Sequence, residues 1–236
     1  MLLTLQKSED RGHVQFAWLT SAHSFSFGDY YDPNNIGFGK LRVLNDDRIQ
    51  GGGGFPQHNH KDMEIFTIPL SGALSHQDSI GTSSTIRPGD IQIMSAGTGV
   101  KHSEFNSSNE EDLTLLQIWI TPNKAGVDAR YEEKHFSYLD EKNVLHQVIT
   151  PTGSNGSLTI HQDAYVSIGT WDQESTQSYV LNNKVNGVYL FIIDGKATTE
   201  DSTLMRRDAA MIREAEEIVL QIAKDSTVLI IEVPVL

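Results

Sequence analysis

The sequence lacks cysteine and any long apolar run, and it has few basic residues. Without cysteine, the 236-residue chain can have neither disulfides nor thiolate metal ligands, and it has no cysteine nucleophile. The apolar stretch before its first charges is too short for the central region of a signal peptide. No run of about 18 apolar residues indicates a membrane span. We therefore expect a cytoplasmic protein that does not enter a membrane.

Charge of one sign is also scarce. Lysine and arginine number 18 against 31 aspartates and glutamates, which gives a formal net charge of −13. A field of that sign repels phosphate backbones, so we expect no direct contact with nucleic acid. The simplest interpretation of the charge is solubility, although an acidic surface would also suit a basic protein partner.

Strand-like segments dominate what is present. They alternate or run apolar over four to eight residues and are separated by glycine or proline turns, at 23–27, 63–70, 90–94 and 113–120. Turn signals about ten residues apart favour a sandwich or barrel over βαβ units. The best helical segment is NKAGVDARYEEKH at 123–135, which we interpret as a connector. The sequence therefore predicts an all-β protein with a short helical connector.

A weak internal repeat divides the chain. IFTIPLSGAL (65–74) followed by IRPGDIQIM (86–94) is matched by VYLFIIDGKA (188–197) followed by LMRRDAAMI (204–212). Each pair runs strand, glycine turn, basic residue, aspartate and strand, which favours two β modules of one design. We predict an N-terminal module at 1–121, a connector at 122–150 and a C-terminal module at 151–236.

Two short motifs in the first module carry the chemistry. Residues 58–60 read HNH and residues 102–104 read HSE. Side chains two apart on a strand share a face, and neighbouring strands lie about 4.8 Å apart, so the two pairs can converge on one ion. Three imidazoles and a carboxylate suit Fe(II), Ni(II), Mn(II), Co(II), Cu(II) or Zn(II), with positions left open for substrate or oxygen. Either pair alone would more often be a surface or structural pair.

These motifs resemble the two signatures of the cupin superfamily. The first is carried by Gly52, His58, His60, Glu64 and Gly72, and the second by Gly89, Ser95, Gly97, His102 and Asn106. The second departs from the usual pattern, because Ser95 replaces a proline and four residues rather than two precede His102. That longer form, MSAGTGVKHSE at 94–104, is similar to the pirin family of two-cupin-domain proteins, as are HSFSFGDYYDP at 23–33 and HNHKDMEIFT at 58–67. The resemblance is best over residues 10–120 and implies two tandem cupin domains, each a jelly-roll-like β-barrel.

The resemblance also bears on the ligands. In most cupins the fourth ligand is the glutamate of the first motif, here Glu64, whereas in pirins it is the one after the last histidine, here Glu104. We favour His58, His60, His102 and Glu104, with Glu64 holding an imidazole N–H or a water. The second module has neither motif, so we expect one divalent metal per chain, iron(II) first, with Ni, Mn, Co, Cu or Zn as alternatives. His76 and His161, each followed two residues on by an aspartate, are interpreted as structural.

Bacterial pirins are known as quercetin 2,3-dioxygenases, so the resemblance implies a metal-dependent oxygenase acting on a small planar phenol and O2. Glu104 would be the catalytic base and the three histidines would anchor the ion. Residues interpreted as cavity walls are Phe38, Met63, Met94 and Phe105, with Tyr30, Tyr31 and Asp32 at the entrance. The main alternative is a metal-dependent regulatory module with a protein partner, as eukaryotic pirins are; another cupin enzyme is the third. The resemblance favours a monomer.

Overall fold

Strands make up most of residues 1–200 and 202–235, the part of the chain that this computed structural model describes. The first half contains β1 (Leu2–Gln6), β2 (Gly12–Gln15), β3 (Leu19–His23), β4 (Leu41–Ile49), β5 (Gly54–His60), β6 (Glu64–Ser71), β7 (Leu74–Asp78), β8 (Ser83–Ile86), β9 (Asp90–Ser95), β10 (Val100–Asn106), β11 (Leu113–Ile120) and β12 (Arg130–His135). The second half contains β13 (His146–Thr150), β14 (Leu158–Thr159), β15 (Tyr165–Trp171), β16 (Ser175–Val180), β17 (Asn186–Asp194), β18 (Lys196–Thr198), β19 (Thr203–Met205), β20 (Ala209–Arg213), β21 (Glu217–Ile222) and β22 (Ser226–Pro234). Single turns of 3-10 helix lie at Ser8–Asp10, Ser137–Leu139 and Ser154–Gly156. The all-β prediction is confirmed.

The two halves repeat one strand order. A seven-stranded sheet β12-β9-β6-β11-β4-β3-β2 faces a four-stranded sheet β5-β10-β7-β8, and together we call them the N-terminal module. Sheets β1-β20-β17-β22-β15-β13-β14 and β16-β21-β18-β19 form the C-terminal module in the same arrangement, except at one edge, where β13 and β14 pair parallel while β2 and β3 pair antiparallel. The glycines that define the sequence repeat, Gly72 and Gly195, follow β6 and β17 with φ of +74° and +78°. Both occupy the left-handed region that favours glycine, and the predicted internal repeat is therefore present in the strand order.

The connector differs from its prediction. Residues 130–135 form β12, which pairs antiparallel with β9 from Arg130 opposite Ser95 to His135 opposite Asp90. The predicted helix at 123–135 is therefore wrong, and the helical content of the connector is the single turn Ser137–Leu139. A polar helix would have had no apolar face to bury, whereas the open edge of β9 satisfies the backbone groups of this segment.

At the opposite end of the chain, β1 pairs with β20 and completes the C-terminal sheet. Each seven-stranded sheet thus receives one edge strand from outside its own predicted range, β12 from the connector and β1 from the N-terminal range. Ion pairs reinforce the crossing, with Lys7 Nζ 2.9 Å from Asp208 Oδ2 and Arg207 Nε 2.8 Å from Asp46 Oδ2. Strands therefore cross the boundaries predicted at residues 121 and 150. The division of the chain into domains at these residues remains a prediction.

The largest apolar cluster lies between the two seven-stranded sheets and draws on both modules, with Phe66 and Ile118 from one and Phe191 and Leu229 from the other. Alternation along β11 explains how one strand serves two environments. Its residues 116, 118 and 120 enter this shared core, while Gln117 and Trp119 face the interior of the N-terminal module. The site therefore lies inside that module, on the other side of the sheet from the shared core. None of the helices in the described residues has the length and apolar character needed to cross a membrane.

Candidate metal centre

The histidines of the HNH and HSE motifs meet on two neighbouring strands. His102 on β10 lies directly opposite His58 on β5, and Val100 lies opposite His60. The ring nitrogens that His58, His60 and His102 can offer lie within 4.8 Å of one another. Nε2 of His102 is 3.0 Å from Nε2 of His58. The structure therefore brings together the three imidazoles that the spacing singled out.

The protonation of these rings fits a metal site. Nδ1 of His58 lies 2.9 Å from the carbonyl oxygen of Pro56, which can only accept, so Nδ1 carries the proton and the lone pair of Nε2 points to the cluster. Burial, followed by the neighbouring His58, lowers the pKa of His60 to about 4 and that of His102 to about 2. Neutral imidazole is the form that binds a metal, so the lowered pKa values of His60 and His102 favour the binding of a divalent transition ion.

Glu104 lies beside this cluster. The β5–β10 pairing shifts register between His102 and Glu104. The Glu104 carboxyl is within metal-sharing distance of His102 and His76, but it does not fall in the group formed by His58, His60 and His102. Its Oε1 accepts a hydrogen bond from Gln92 Nε2 and its Oε2 one from Gln117 Nε2, both at 2.9 Å. Burial raises the pKa of Glu104 to about 7. Its role as the fourth ligand remains a proposal.

A cavity of about 330 Å³ opens onto the histidines. Such a volume is near the lower end of the roughly 300–1,000 Å³ of small-molecule sites. The four-stranded sheet contributes one wall with Phe55, Pro56, Gln57, His58, His60, His102 and Glu104. The seven-stranded sheet contributes the facing wall with Asn45, Asp47, Gln117 and Trp119, and the β3–β4 loop adds Phe27. The cavity is thus mainly apolar with a few convergent polar groups.

The residues predicted to line the cavity do not line it. Phe38 lies in the shared core, Met94 belongs to a small apolar cluster on which Met63 packs, and Phe105 is 39% exposed. Tyr30, Tyr31 and Asp32 are also absent from the lining. The aromatic walls are Phe27, Phe55 and Trp119 instead. Strict alternation along LTLLQIWI would have indicated Trp119 and Gln117, because they occupy the face opposite to Ile118.

Glu64 takes no part in this centre. It is fully buried, and its Oε2 accepts hydrogen bonds from Ser95 Oγ at 2.9 Å and from the backbone N–H of His161 at 3.2 Å. Two residues along β6, Phe66 enters the shared core, so Glu64 points to the module interface rather than into the cavity. The expectation that Glu64 holds an imidazole N–H or a water at the metal site is therefore wrong.

His76 is closer to the centre than a purely structural histidine would be. Its Nε2 lies 3.2 Å from Asp78 Oδ2, which agrees with the predicted pairing along one strand face. Its ring centroid is also 5.2 Å from that of His102. His76 therefore packs behind one of the three imidazoles and helps to fix its position, while His161 meets Glu64 only through its backbone N–H.

Both halves of the chain match known protein families, and the whole chain matches relatives in sequence and in structure. A family model described as Pirin matches residues 5–120, and one described as Quercetinase C-terminal cupin domain matches residues 147–233. The quercetin 2,3-dioxygenase of Escherichia coli (strain K12) is 40% identical, with 99% of each chain covered. A putative quercetin 2,3-dioxygenase of Pasteurella multocida is 36% identical, with 98% of this chain and 99% of the relative covered. The crystal structure of the bacterial pirin YhhW from Escherichia coli in complex with nickel(II) superimposes with a TM-score of 0.94 at 38% identity, covering 100% of both chains.

Proposed function

The chain belongs to the pirin family of two-cupin-domain proteins, and we propose that it is a metal-dependent oxygenase that cleaves flavonols with O2. The observation that carries the proposal is the cluster of three imidazoles in the wall of a largely apolar cavity. The names of the relatives that cover the whole chain support the same reaction. The proposed substrates are a small planar phenol and O2. The proposed oligomeric state is a monomer.

His58, His60 and His102 would hold one divalent metal, with the Glu104 carboxylate as the fourth ligand. We propose iron(II), and the nickel(II) of the related structure is the first alternative. When bound, such an ion would supply Lewis-acid polarisation of a substrate oxygen and the redox chemistry that O2 requires. Comparing the turnover of protein loaded with iron(II) and of protein loaded with nickel(II) distinguishes these two ions.

Glu104 is the proposed base. Burial raises the pKa of Glu104, so its carboxylate would accept a proton from a flavonol hydroxyl more readily than an exposed carboxylate would. Gln92 and Gln117 each donate an amide N–H to one oxygen of this carboxylate and so fix its plane. Proton transfer would leave the substrate as an anion beside the histidines.

The aromatic walls would hold the substrate flat. The Trp119 ring lies edge-on to His60, with centroids 4.8 Å apart, and edge-on to Phe27 at 5.2 Å. Phe55 contributes the neighbouring wall. These surfaces exclude water from the reacting ring and strengthen each polar contact made inside the cavity. The expected products are a depside, which carries both atoms of O2, and carbon monoxide.

The test is oxygen-dependent loss of quercetin absorbance with metal-stripped protein reloaded with Fe(II), Ni(II), Mn(II) or Co(II). We expect turnover with at least one ion, carbon monoxide release in proportion, and no turnover by His60→Ala. Absence of turnover with every ion, in protein that binds one metal per chain, would contradict the oxygenase and favour the metal-dependent regulatory module.

A further inference from the structure

A second cleft lies at the junction of the two modules, away from the histidines. Its volume is about 320 Å³, and none of its lining residues lines the cavity at the metal centre. The N-terminal part of the chain contributes Glu9, Arg11 and Asp46, and the turn between β19 and β20 contributes Arg206 and Arg207. Among the described residues, three arginines thus face two carboxylates there, in a chain whose formal net charge is −13.

Two largely buried arginines of this cleft share one carboxylate. The side chains of Arg11 and Arg207 are 1% and 12% exposed. Oδ2 of Asp46 is 2.8 Å from Arg207 Nε but 3.7 Å from Arg11 Nη1, which is beyond hydrogen-bond range. Arg11 Nη2 donates to the carbonyl oxygen of Ala22 at 2.9 Å, while its Nε is buried and has no partner among the described residues. The Phe191 ring, 5.2 Å from the guanidinium carbon, offsets only part of the charge, so one buried cation lacks a counter-charge.

The rim of the cleft leaves this charge unmatched. The Glu9 side chain is exposed, and in the described part of the chain it forms no ion pair with any of the three arginines. The Arg206 side chain is 60% exposed, and its Nε is 2.6 Å from Oδ1 of Asp194. The cleft therefore has two enclosed guanidinium groups with one carboxylate between them, and a third guanidinium at its mouth.

The backbone at Arg207 indicates that this side chain has a role beyond the turn. Arg207 and Gly89 occupy the same point of the internal repeat, each directly before the aspartate that defines it, Asp208 or Asp90. The backbone N–H of each aspartate donates to the carbonyl oxygen three residues earlier, at 2.9 and 2.8 Å, so the two turns are alike. Their φ angles are +67° at Arg207 and +95° at Gly89. Glycine adopts this conformation freely and arginine does not, so the contacts of the guanidinium must offset the strain.

We propose that Arg11, Arg206 and Arg207 form a binding site for a small oxyanion, a carboxylate or a phosphate group, at the junction of the two modules. The planar fork of a guanidinium matches the paired oxygens of either group. The anion supplies the counter-charge that Asp46 alone does not, and it contacts arginines from both halves of the chain, so it stabilises the docking of the modules. A cleft of about 320 Å³ also accommodates a small organic acid or phosphate ester.

The test is isothermal titration of nickel-loaded protein with inorganic phosphate and, separately, with acetate, in chloride buffer of constant ionic strength. We expect a dissociation constant of about 1 mM or tighter for at least one anion, and the tighter of the two identifies the preferred group. With the anion at about ten times that constant, the melting temperature should rise by about 3–6 °C.

Substitutions in the cleft locate the bound anion. Arg11→Met should weaken binding by more than about tenfold, because it removes the least compensated guanidinium, and Arg206→Gln should weaken it by about fivefold. Arg48→Gln is the matched control and should leave the dissociation constant unchanged. Arg48 is 65% exposed and pairs with Asp112 at 2.5 Å, much as Arg206 pairs with Asp194, but it lies outside the cleft.

The outcomes separate this site from the metal centre. Should Arg11→Met fail to fold, Arg206→Gln carries the comparison, because its side chain is exposed and its loss opens no cavity. Failure of the native protein to bind either anion overturns the proposal. Binding that every folded cleft variant retains unchanged overturns it too, since the anion then lies elsewhere, for instance at the nickel ion. None of these measurements uses turnover, so they test the anion site whether or not the protein is an oxygenase.

Discussion

The interiors of the two modules differ although their strand orders agree. In the C-terminal module one continuous apolar cluster fills the space between the sheets, from Trp171 to Ile230. In the N-terminal module two small clusters occupy separate regions, one around Leu74 and Ile86 and the other around Ile65 and Met94. The cavity and its polar side chains occupy the space between the sheets that the C-terminal module fills with hydrocarbon.

Strand registers identify the corresponding positions. Asn106 lies opposite Leu74 in one module and Ile222 opposite Ala197 in the other, each partner two residues after its glycine turn. His102 lies opposite His58 as Ile218 lies opposite Tyr179. The four positions of the candidate site therefore correspond, in the order His58, His60, His102 and Glu104, to Tyr179, Leu181, Ile218 and Leu220. All four of these C-terminal residues belong to or pack on the apolar cluster.

The same alignment explains how side chains fill the interior of the second module. Asp47 lies opposite Leu115 and Gly169 opposite Val228, at equivalent points of β4 and β15. A Cβ added at Gly169 would lie 2.7 Å from the Trp171 ring. The absence of a side chain there lets the buried indole occupy the space that the N-terminal module leaves open. One scaffold thus carries either a site or a full core, and the polar version leaves buried groups that a metal or substrate must satisfy.

The largest expected effect comes from removing one imidazole, which tests whether only the N-terminal module binds a metal. His60→Ala should abolish both metal binding and oxygenase turnover, since the two remaining histidines and Glu104 cannot replace the lost imidazole donor. We expect metal content, measured by elemental analysis, to fall from one ion per chain to nearly none. Leu181→Ala, at the corresponding position of the other module, should keep one ion per chain. Two ions per chain in the native protein, or loss of metal in Leu181→Ala, would show that the modules are not divided in this way.

The converse change empties the filled module. Trp171→Ala should cost about 3–5 kcal/mol of unfolding free energy, because it opens a cavity in a close-packed interior. The metal content and the Michaelis constant should not change, since the indole lies in the other module. Urea unfolding monitored by circular dichroism measures the loss. A cost below about 1 kcal/mol would mean that the C-terminal interior collapses readily around the lost indole and is not close-packed.

Some features of the N-terminal module and the connector could be predicted from the sequence and others could not. HNH and HSE fixed three imidazoles in advance, because i and i+2 side chains share a strand face whatever the tertiary context. The pairing of distant strands decides which faces meet, so Glu64 was assigned to the wrong side of β6. Residues 123–135 have a helical composition, yet the unpaired edge of β9 made a strand of 130–135. The walls Phe27, Phe55 and Trp119 come from three separate segments, and no local pattern relates them.

A smaller change sharpens the role of Glu104. Glu104→Gln keeps the shape and removes the charge, so the metal should be lost less readily than turnover if the carboxylate is also the base. We expect kcat to fall about 100-fold, the lower range for general-base catalysis, and metal affinity to fall about tenfold. Isothermal titration with nickel(II) and steady-state kinetics give the two values. Equal losses in both would identify a ligand with no separate role in proton transfer. The corresponding Leu220→Met should change neither.

The smallest expected effect concerns pH and the metal-free protein. The pKa of Asp47 is raised from 3.8 to about 7, chiefly by burial, so between pH 4 and 7 the unfolded chain is ionised at this position while the folded chain is not. Asp47 therefore favours folding at pH 4 and loses that contribution as the pH rises through 7. Asp47→Asn does not titrate, so it should gain stability relative to the native protein between pH 4.5 and 8.

Each pKa unit corresponds to about 1.4 kcal/mol of unfolding free energy, and we expect about one unit of the shift to survive because water entering the cavity solvates the carboxylate. Since the histidines titrate alike in both proteins, their contribution cancels in the difference between the two urea-unfolding curves. A difference that stays constant from pH 4.5 to 8 would mean that Asp47 is ionised in the folded state throughout. The N-terminal interior would then already be wet, unlike the filled interior of the C-terminal module.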